Sequence, residues 1–504
     1  MASVESVDRA ASQGSALDGE PDPRRWWALG IIAIAQLMVV LDASIVNIAL
    51  PSAQADLNIS DANRQWVVTA YTLAFGGLLL LGGRIADYTG RKRIFLIGLI
   101  GFAVASALGG AATNDVMLFG ARALQGVFAA LLAPAALSLL QVSFTDAKER
   151  ARAFGVYGAI SGGGAAIGLI LGGVLTEYVS WRWCLFVNVP IAVLAAIAAI
   201  GVVRESKAHG DTRYDVPGAV LVSGGLASLV YGFTQAAEAE DGWTDTSTIT
   251  WLAVAAVLLI GFVVWETRTR HPLLPLRVVL DRNRGAAYAS SLLIGAGLFA
   301  MFLFLAYYFQ QNLGYSAIKS GFAFLPFSVG IIVSATVASS LMPKVNPRIL
   351  LVVGGVLATA GLALLTRIDL DSSWLTLVLP AEVLISLGMG LFFVVSASLA
   401  LTKVEEHDAG VASAMLNTSQ QIGGALGTAL LNTLFASAVT SWMTDNAGSG
   451  NGNVQQLASE AAIHGYHVAF WVGSAFIATA TIITLLMVNA RSSDLSNEGA
   501  VHVG

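Results

Sequence analysis

The sequence is divided into long apolar stretches separated by short polar segments. A helix rises about 1.5 Å per residue, so about 20 apolar residues cross a hydrocarbon core about 30 Å thick. Stretches of this kind lie at about 27–50, 65–83, 94–112, 116–140, 153–176, 184–203, 215–234, 249–266, 286–311, 318–342, 348–366, 374–402, 410–440 and 466–489. The sequence therefore predicts an all-α integral membrane protein with 14 transmembrane helices.

Composition agrees with a membrane protein and excludes several other classes. Of the 504 residues, 56% are apolar and 12% are charged, whereas a soluble domain has about 25% charged residues. The net charge of −5 argues against a nucleic-acid partner. A single cysteine forms no intramolecular disulfide, and the six histidines lack metal-ligand spacing, so we expect no metal site and no cofactor.

Lysine and arginine residues fall mainly on one predicted side of the membrane. With the N-terminus inside, most of the 27 basic residues lie in the two tails and the even-numbered connections. Basic loops are retained in the cytoplasm. We therefore expect a multi-pass protein of the cell membrane with cytoplasmic tails at 1–25 and 491–504, and an uncleaved first helix.

An internal repeat with an offset of 255 residues joins the two ends of the chain. The repeat predicts an N-terminal six-helix half at 26–205, an inserted helix pair at 206–284 and a C-terminal six-helix half at 285–490. Two repeated halves around a central site are typical of transporters. The matched positions are Arg93 with Arg348, Lys148 with Lys403, Ile167 with Ile422, Gly168 with Gly423, and Gly172 with Gly427.

The sequence also limits the energy source. It contains no Gly-Lys dipeptide, so it has no phosphate-binding loop of the G-x-x-x-x-G-K-[ST] type. The glycine cluster at 162–168 lies within an apolar helix and follows no strand, which excludes a dinucleotide-binding turn. Coupling to an ion gradient is the remaining expectation.

Four segments carry a family resemblance. GRIADYTGRKR at 83–93 resembles the major facilitator superfamily signature, G-x-L-a-D-r-x-G-r-k. The segments LDASIVNIALP at 41–51, LFGARALQG at 118–126 and WRWCLFVNVP at 181–190 are similar to the 14-helix drug:proton antiporter family of that superfamily. With 410–429, the resemblance covers almost the whole chain. It implies the major facilitator fold, with two six-helix halves and an inserted pair.

The antiporter motif of helix 5, g-x-x-x-G-P-x-x-G-G in that family, is altered in this chain. Its glycines are present as Gly164, Gly168, Gly172 and Gly173, but Leu169 replaces the proline. The resemblance implies an antiporter role for this helix. Glycines alone also permit close helix packing, which is the simpler interpretation.

The signature segment at 83–93 is interpreted as a cytoplasmic gating loop. Its residues are Gly83, Asp87, Gly90, Arg91, Lys92 and Arg93. A carboxylate near a helix N-terminus gains about 0.3–1 kcal/mol, so Asp87 is expected there. Gly90 is expected to supply the turn. The alternative is a charged turn that only obeys the topology rule.

Three ionisable residues lie within predicted helices, where insertion costs about 2.5–3.5 kcal/mol each. Asp42 and Arg122 are about 12 and 9 Å below the outer boundary, so they can meet. Asp42 and Arg122 are interpreted as the proton-coupling site, the alternative being a structural ion pair. Glu382 lies about 12 Å deep in the other half, and either binds substrate or is a satisfied polar group.

Further substrate-binding candidates lie in helices 9 and 13. They are Asn417, Gln420, Gln421, Phe302 and Tyr307. Polar side chains of a transmembrane helix line a cavity or hydrogen-bond to another helix. Aromatic rings stack on a flat substrate or fill the interior.

The sequence and its resemblance together predict a proton-coupled antiporter, not an enzyme. It is expected to export drugs, antibiotics or other small amphipathic molecules by alternating access, as a monomer in the lipid bilayer. The partners are thus a small-molecule substrate and protons. Proton-coupled uptake by the same fold is one alternative. A membrane receptor or sensor that transports nothing is the other.

Overall fold

The computed structural model describes residues 23–144, 146–207, 215–239, 241–269, 272–274, 276–402, 404, 409–446 and 454–492. Most of both predicted tails, at 1–22 and 493–504, and Lys403 lie outside these residues. Where the structure describes the chain, it is helical and contains no strand.

The long helices are numbered in chain order. They are α1 (Arg25–Leu57), α2 (Trp66–Thr89), α3 (Arg91–Gly110), α4 (Asp115–Ser143), α5 (Ala147–Tyr178), α6 (Trp183–Val202), α7 (Val216–Glu238), α8 (Thr246–Arg268), α9 (Arg282–Asn312), α10 (Ala317–Leu341), α11 (Pro347–Leu365), α12 (Trp374–Leu401), α13 (Ala409–Asn446) and α14 (Val454–Met487).

Of these helices, 13 are long and apolar enough to cross a membrane, counted over the described residues. The remaining one, α5, has 32 residues and contains the apolar stretch Gly164–Tyr178. The predicted all-α membrane fold is confirmed. Long apolar helices are favoured because every backbone N–H and C=O is then satisfied within its own segment.

The predicted loop between helices 2 and 3 is wrong in its boundaries. α2 continues to Thr89 and α3 begins at Arg91, so Gly90 alone connects them. Gly90 has a φ of 128°, which residues with a Cβ rarely adopt. Helical residues such as Asp87 and Arg91 were assigned to a loop because they are polar.

The two six-helix groups, α1–α6 and α9–α14, repeat the same packing. In the first group α1 packs on α5, α2 on α4, α3 on α4, and α3 on α6. In the second, α9 packs on α13, α10 on α12, α11 on α12, and α11 on α14. The pairings match position by position, as the internal repeat requires.

Matched glycines form corresponding crossings in the two groups. A Cβ on Gly168 of α5 would overlap Ser44 Oγ of α1. Its repeat partner, Gly423 of α13, lies against the carbonyl of Leu292 in α9. Small residues allow such close approach of helix backbones.

The two groups meet along α2 with α13 and along α5 with α10. The pair α7 and α8 lies outside this interface, where α7 packs on α2 and α13. We call the end of the bundle that holds residues 58–65 the outer end, and the opposite, arginine-rich end the inner end. These names follow the predicted topology.

Candidate functional site

Asp42 and Arg122 form a buried ion pair in the N-terminal group. Asp42 of α1 is 0% exposed and Arg122 of α4 is 1% exposed. Arg122 Nη1 donates to Asp42 Oδ2 over 2.6 Å. The two residues, which were predicted to lie at similar depths in the membrane, are therefore in direct contact.

Two amides complete the surroundings of the carboxylate. Gln125 Nε2 and Asn188 Nδ2 donate to Asp42 Oδ1 over 2.9 and 2.8 Å. Asp42 thus accepts hydrogen bonds from three side chains on α4 and α6. Because every partner donates, this geometry suits a carboxylate without a proton.

Arg122 is itself fixed by several contacts. Its Nε donates to the Val67 carbonyl over 2.9 Å, and its Nη1 also donates to Gln125 Oε1 over 2.8 Å. The guanidinium lies over the Tyr71 ring, 4.5 Å from the centroid. The charge is therefore held by α2 and α4 even when Asp42 is protonated.

The sequence did not identify Gln125 and Asn188 as site residues. Both lie in segments that carried the family resemblance, at 118–126 and 181–190. An available signal was their chemistry, because each is an amide in a mostly apolar helix. Such groups need a buried partner in a membrane.

The glycines of α5 place that helix directly against α1, beside Asp42. A Cβ on Gly164 would lie 3.1 Å from side-chain atoms of α1, and one on Gly172 would lie 2.9 Å from the Ile45 carbonyl. Gly173 faces α10 instead, at Ile318. These glycines therefore set the spacing of α5 to both α1 and α10.

We expect Gly168→Leu to lower transport and to destabilise the protein by about 1–3 kcal/mol, because the new side chain overlaps α1 next to Asp42. Thermal unfolding in detergent measures the loss of stability, and substrate accumulation in everted vesicles measures the loss of transport. Gly120→Leu is the matched control, since nothing lies within 4 Å of a Cβ there. Equal effects of the two substitutions would contradict the packing role.

The signature segment forms a compact structure at the inner end. Arg91 Nε donates to Asp87 Oδ1 over 2.8 Å, and Lys92 Nζ donates to the Ile200 carbonyl over 2.7 Å. Gly83 packs on Pro134 of α4. Asp87 is therefore paired within its own segment.

Asp87 pairs with Arg91 at the start of α3, but a different carboxylate accepts from the backbone N–H groups there. The carboxylate at the start of α3 is Glu205, which accepts from the backbone N–H groups of Lys92 and Arg93, both over 3.1 Å. Asp87 lies in the last turn of α2, before the Gly90 turn, and its carboxylate accepts from the Arg91 side chain. Glu205 follows α6, and its distance along the chain hid it from local analysis.

We expect Glu205→Ala to destabilise the protein by about 1 kcal/mol, because it removes the acceptor for two N–H groups at a helix start. Asp87→Ala removes only one partly exposed ion pair, which contributes about 0–1 kcal/mol. Thermal unfolding of the two variants checks the order. A larger loss for Asp87→Ala would show that the cap contributes little.

Arg64 occupies a buried position at the outer end, between the two groups. It is 2% exposed, and its Nε donates to Asn432 Oδ1 of α13 over 3.1 Å. The guanidinium lies 4.1 Å from the Tyr307 centroid and 4.9 Å from the Phe435 centroid. The predicted helix bounds, 27–50 and 65–83, leave Arg64 in the connection between the first two helices.

Other hydrogen bonds join the same two groups nearby. Asn432 Nδ2 donates to the Asp61 carbonyl over 2.8 Å, and Gln310 Nε2 donates to the Ile48 carbonyl over 3.0 Å. The Tyr307 hydroxyl donates to Gln54 of α1. The two groups are thus held together at the outer end by contacts around Arg64, which we call the outer lock.

The remaining predicted residues lie apart from the Asp42 site. Phe302 packs on the rings of Phe324 and Phe327, with centroids 5.3 and 5.0 Å away. Tyr307 belongs to the outer lock. Of the polar candidates in α13, Asn417 is exposed, whereas Gln420 and Gln421 are half-buried. Glu382 is fully buried in α12.

Comparisons with known proteins agree with this architecture. The sequence model of the Major Facilitator Superfamily matches residues 32–428. The puromycin resistance protein pur8 of Streptomyces alboniger is 48% identical over 500 residues, which cover 99% of this chain and 97% of the relative. The cephamycin export protein CmcT of Amycolatopsis lactamdurans is 39% identical, over 94% of this chain and 95% of the relative.

Solved structures share the fold at low sequence identity. A bacterial homologue of the human lysosomal transporter Spinster, in an inward-facing and unoccupied conformation, has a TM-score of 0.65 and 14% identity. The alignment covers 96% of this chain and 100% of that one. The family match, the close relatives and the shared fold lead to one conclusion: the chain belongs to the major facilitator superfamily.

Proposed function

We propose that this protein is a proton-coupled antiporter that exports small amphipathic molecules across the cell membrane, with both termini in the cytoplasm. The observation that carries the proposal is the buried Asp42–Arg122 pair with its two amide donors. An ionisable group in a membrane interior is a functional site by default, because its insertion is costly. Asp42 is the proton-binding group.

The pair gives protonation a structural consequence. When Asp42 binds a proton, its attraction to Arg122 is lost, whereas Arg122 keeps its bonds to Val67 and Gln125. α1 is then held less firmly to α4 and α6. Since α1 also packs on α5, which contacts α10 of the other group, protonation biases how the two groups sit together.

The outer lock supports alternating access. In the described conformation the two groups contact each other at the outer end through Arg64, Asn432 and Tyr307. Release of substrate to the outside requires these contacts to open. The conformations closed and open at the outer end differ in these contacts. Protons and substrate shift the equilibrium between the two conformations.

Relatives indicate the direction of transport and the first substrates to test. One relative is a puromycin resistance protein and another is a cephamycin export protein. Antibiotics of these two kinds are therefore the first candidate substrates. The proposal also takes the protein to act as a monomer.

Everted membrane vesicles test the proposal. Their lumen is first acidified, and puromycin or a cephamycin is then added outside. Antiport predicts that the substrate accelerates proton efflux from the lumen and itself accumulates inside. Substrate entry that carries protons in the same direction would indicate a symporter, and no flux at all would indicate a receptor or sensor.

A further inference from the structure

Glu382 is an acidic residue in the C-terminal group that the Asp42 site does not use. It lies in α12, about 12 Å from the outer start of that helix, and is 0% exposed. Neither carboxyl oxygen has a hydrogen-bond partner in the part of the chain that the structure describes. This isolation contrasts with Asp42, which accepts three hydrogen bonds.

The surroundings of Glu382 contain no compensating charge. By helical spacing, its buried neighbours on the same face of α12 are Val378, Ile385, Ser386 and Met389, each 0% exposed, and the hydroxyl of Ser386 donates to the Val383 carbonyl over 3.0 Å. α12 packs against α9, α10, α11 and α13. Among the described contacts, no titratable or charged side chain of these four helices pairs with Glu382. These side chains are Arg282, Arg284, Tyr288, Tyr307, Tyr308, Lys319, Arg348 and Asp445.

The titratable or charged side chains that lie nearest to the depth of Glu382 in the membrane have other partners. Tyr307 donates to Gln54, and Tyr308 donates to the Asp369 carbonyl over 2.9 Å. Lys319 lies over the Tyr315 ring, 3.6 Å from the centroid. An ionised carboxylate left unpaired in this interior costs several kcal/mol. Glu382 therefore carries a proton in the described conformation.

The internal repeat sets this acid in context. α4 and α12 are the fourth helices of their groups. In α4 the buried charge is Arg122, which holds Asp42 of α1, whereas α12 carries an acid with no cation beside it. The fourth helix of each group therefore carries a buried ionisable residue, which belongs to an ion pair in α4 and is an unpaired, protonated acid in α12.

We propose that Glu382 is a second proton-binding site, so that each transport cycle moves two protons, one on each six-helix group. This inference rests on the proposed antiport function. The carboxylate takes a proton from outer water when the outer lock is open, and the carboxylic acid returns it to inner water later in the cycle. A proton is the suitable ligand because Glu382 has no exposed surface for a drug-sized cation.

The proton number is measured from the substrate gradient at which net flux is zero, with the membrane potential clamped at zero. A gradient of one pH unit then supports a substrate ratio of about 100-fold for two protons, and about tenfold for one. We expect about 100-fold for the unsubstituted protein and about tenfold for Glu382→Gln. Glu382→Asp, which keeps a titratable group, should return about 100-fold.

Asp445→Asn is the matched control, because it neutralises an exposed acid of the same group and should leave the ratio at about 100-fold. A ratio of about tenfold for the unsubstituted protein overturns the two-proton proposal even if Glu382→Gln does not fold. An unchanged ratio in Glu382→Gln also overturns the two-proton proposal, even if this variant binds a cationic substrate more weakly. If the unsubstituted protein shows no pH-driven gradient, the proposed antiport function itself fails.

Discussion

Replacing Asp42 by asparagine should lower the substrate ratio that concentrative efflux reaches at a gradient of one pH unit by at least tenfold. Asparagine keeps the size of the side chain and still accepts from Gln125 and Asn188 through its Oδ1. It does not bind or release a proton, and it leaves Arg122 without its counter-charge. Substrate accumulation in everted vesicles with an imposed pH gradient, normalised to the amount of protein, measures the loss.

Stability should fall as well, because removing one member of a buried ion pair costs up to about 3–5 kcal/mol. Asp56→Asn is the matched control. Asp56 pairs with Arg182 over 2.9 Å at the outer end, but its side chain is 51% exposed, so its loss should cost about 1 kcal/mol or less. Asp56→Asn should keep near-normal efflux. Normal concentrative efflux by Asp42→Asn would remove Asp42 from the coupling mechanism.

The contact between Asp42 and Arg122 was accessible from the sequence because helix rise is constant. Counting residues from the outer helix ends placed both groups about 9–12 Å deep. Membrane thickness fixed where those helix ends lie. Sequence reasoning also anticipated the repeated packing of the two groups, since matched glycines lie 255 residues apart.

The missed features depend on contacts between distant parts of the chain. Glu205 caps α3 from a position 113 residues after Lys92, which no local pattern indicates. Arg64 is separated from Asn432 by 368 residues, and the predicted helix bounds placed it in the first outer connection. Its burial follows only from how the two groups meet. Polarity likewise ended the predicted second helix too early, although α2 continues to Thr89.

The outer lock leads to the second large expected effect. Arg64→Met keeps a long side chain but removes the cation that bonds Asn432 and lies over Tyr307. A charged hydrogen bond and a cation–π contact together contribute about 3 kcal/mol, which corresponds to about a 100-fold change in the ratio of closed to open states. We therefore expect Arg64→Met to favour the conformation that is open at the outer end.

A single cysteine reports this opening. Ile48 of α1 is 0% exposed and lies about 9 Å deeper than Gln54 of the lock. In a Cys184→Ser background, Ile48→Cys should react slowly with a thiol reagent that does not cross the membrane and is added on the outer side. Adding Arg64→Met should raise that rate strongly, by up to about 100-fold when opening and closing are fast compared with the thiol reaction, because the rate then follows the open fraction.

Arg182→Met distinguishes opening of the lock from general loosening of the outer end. Arg182 also lies over an aromatic ring, that of Trp181, and pairs with Asp56, but both partners belong to α1–α6 and the connection within that group. Its loss therefore weakens one group without separating the two. Labelling of Ile48→Cys should stay slow in Arg182→Met. If both arginine variants label equally fast, or neither does, Arg64 does not hold the outer end closed, and contacts such as Gln310 with the Ile48 carbonyl must do so.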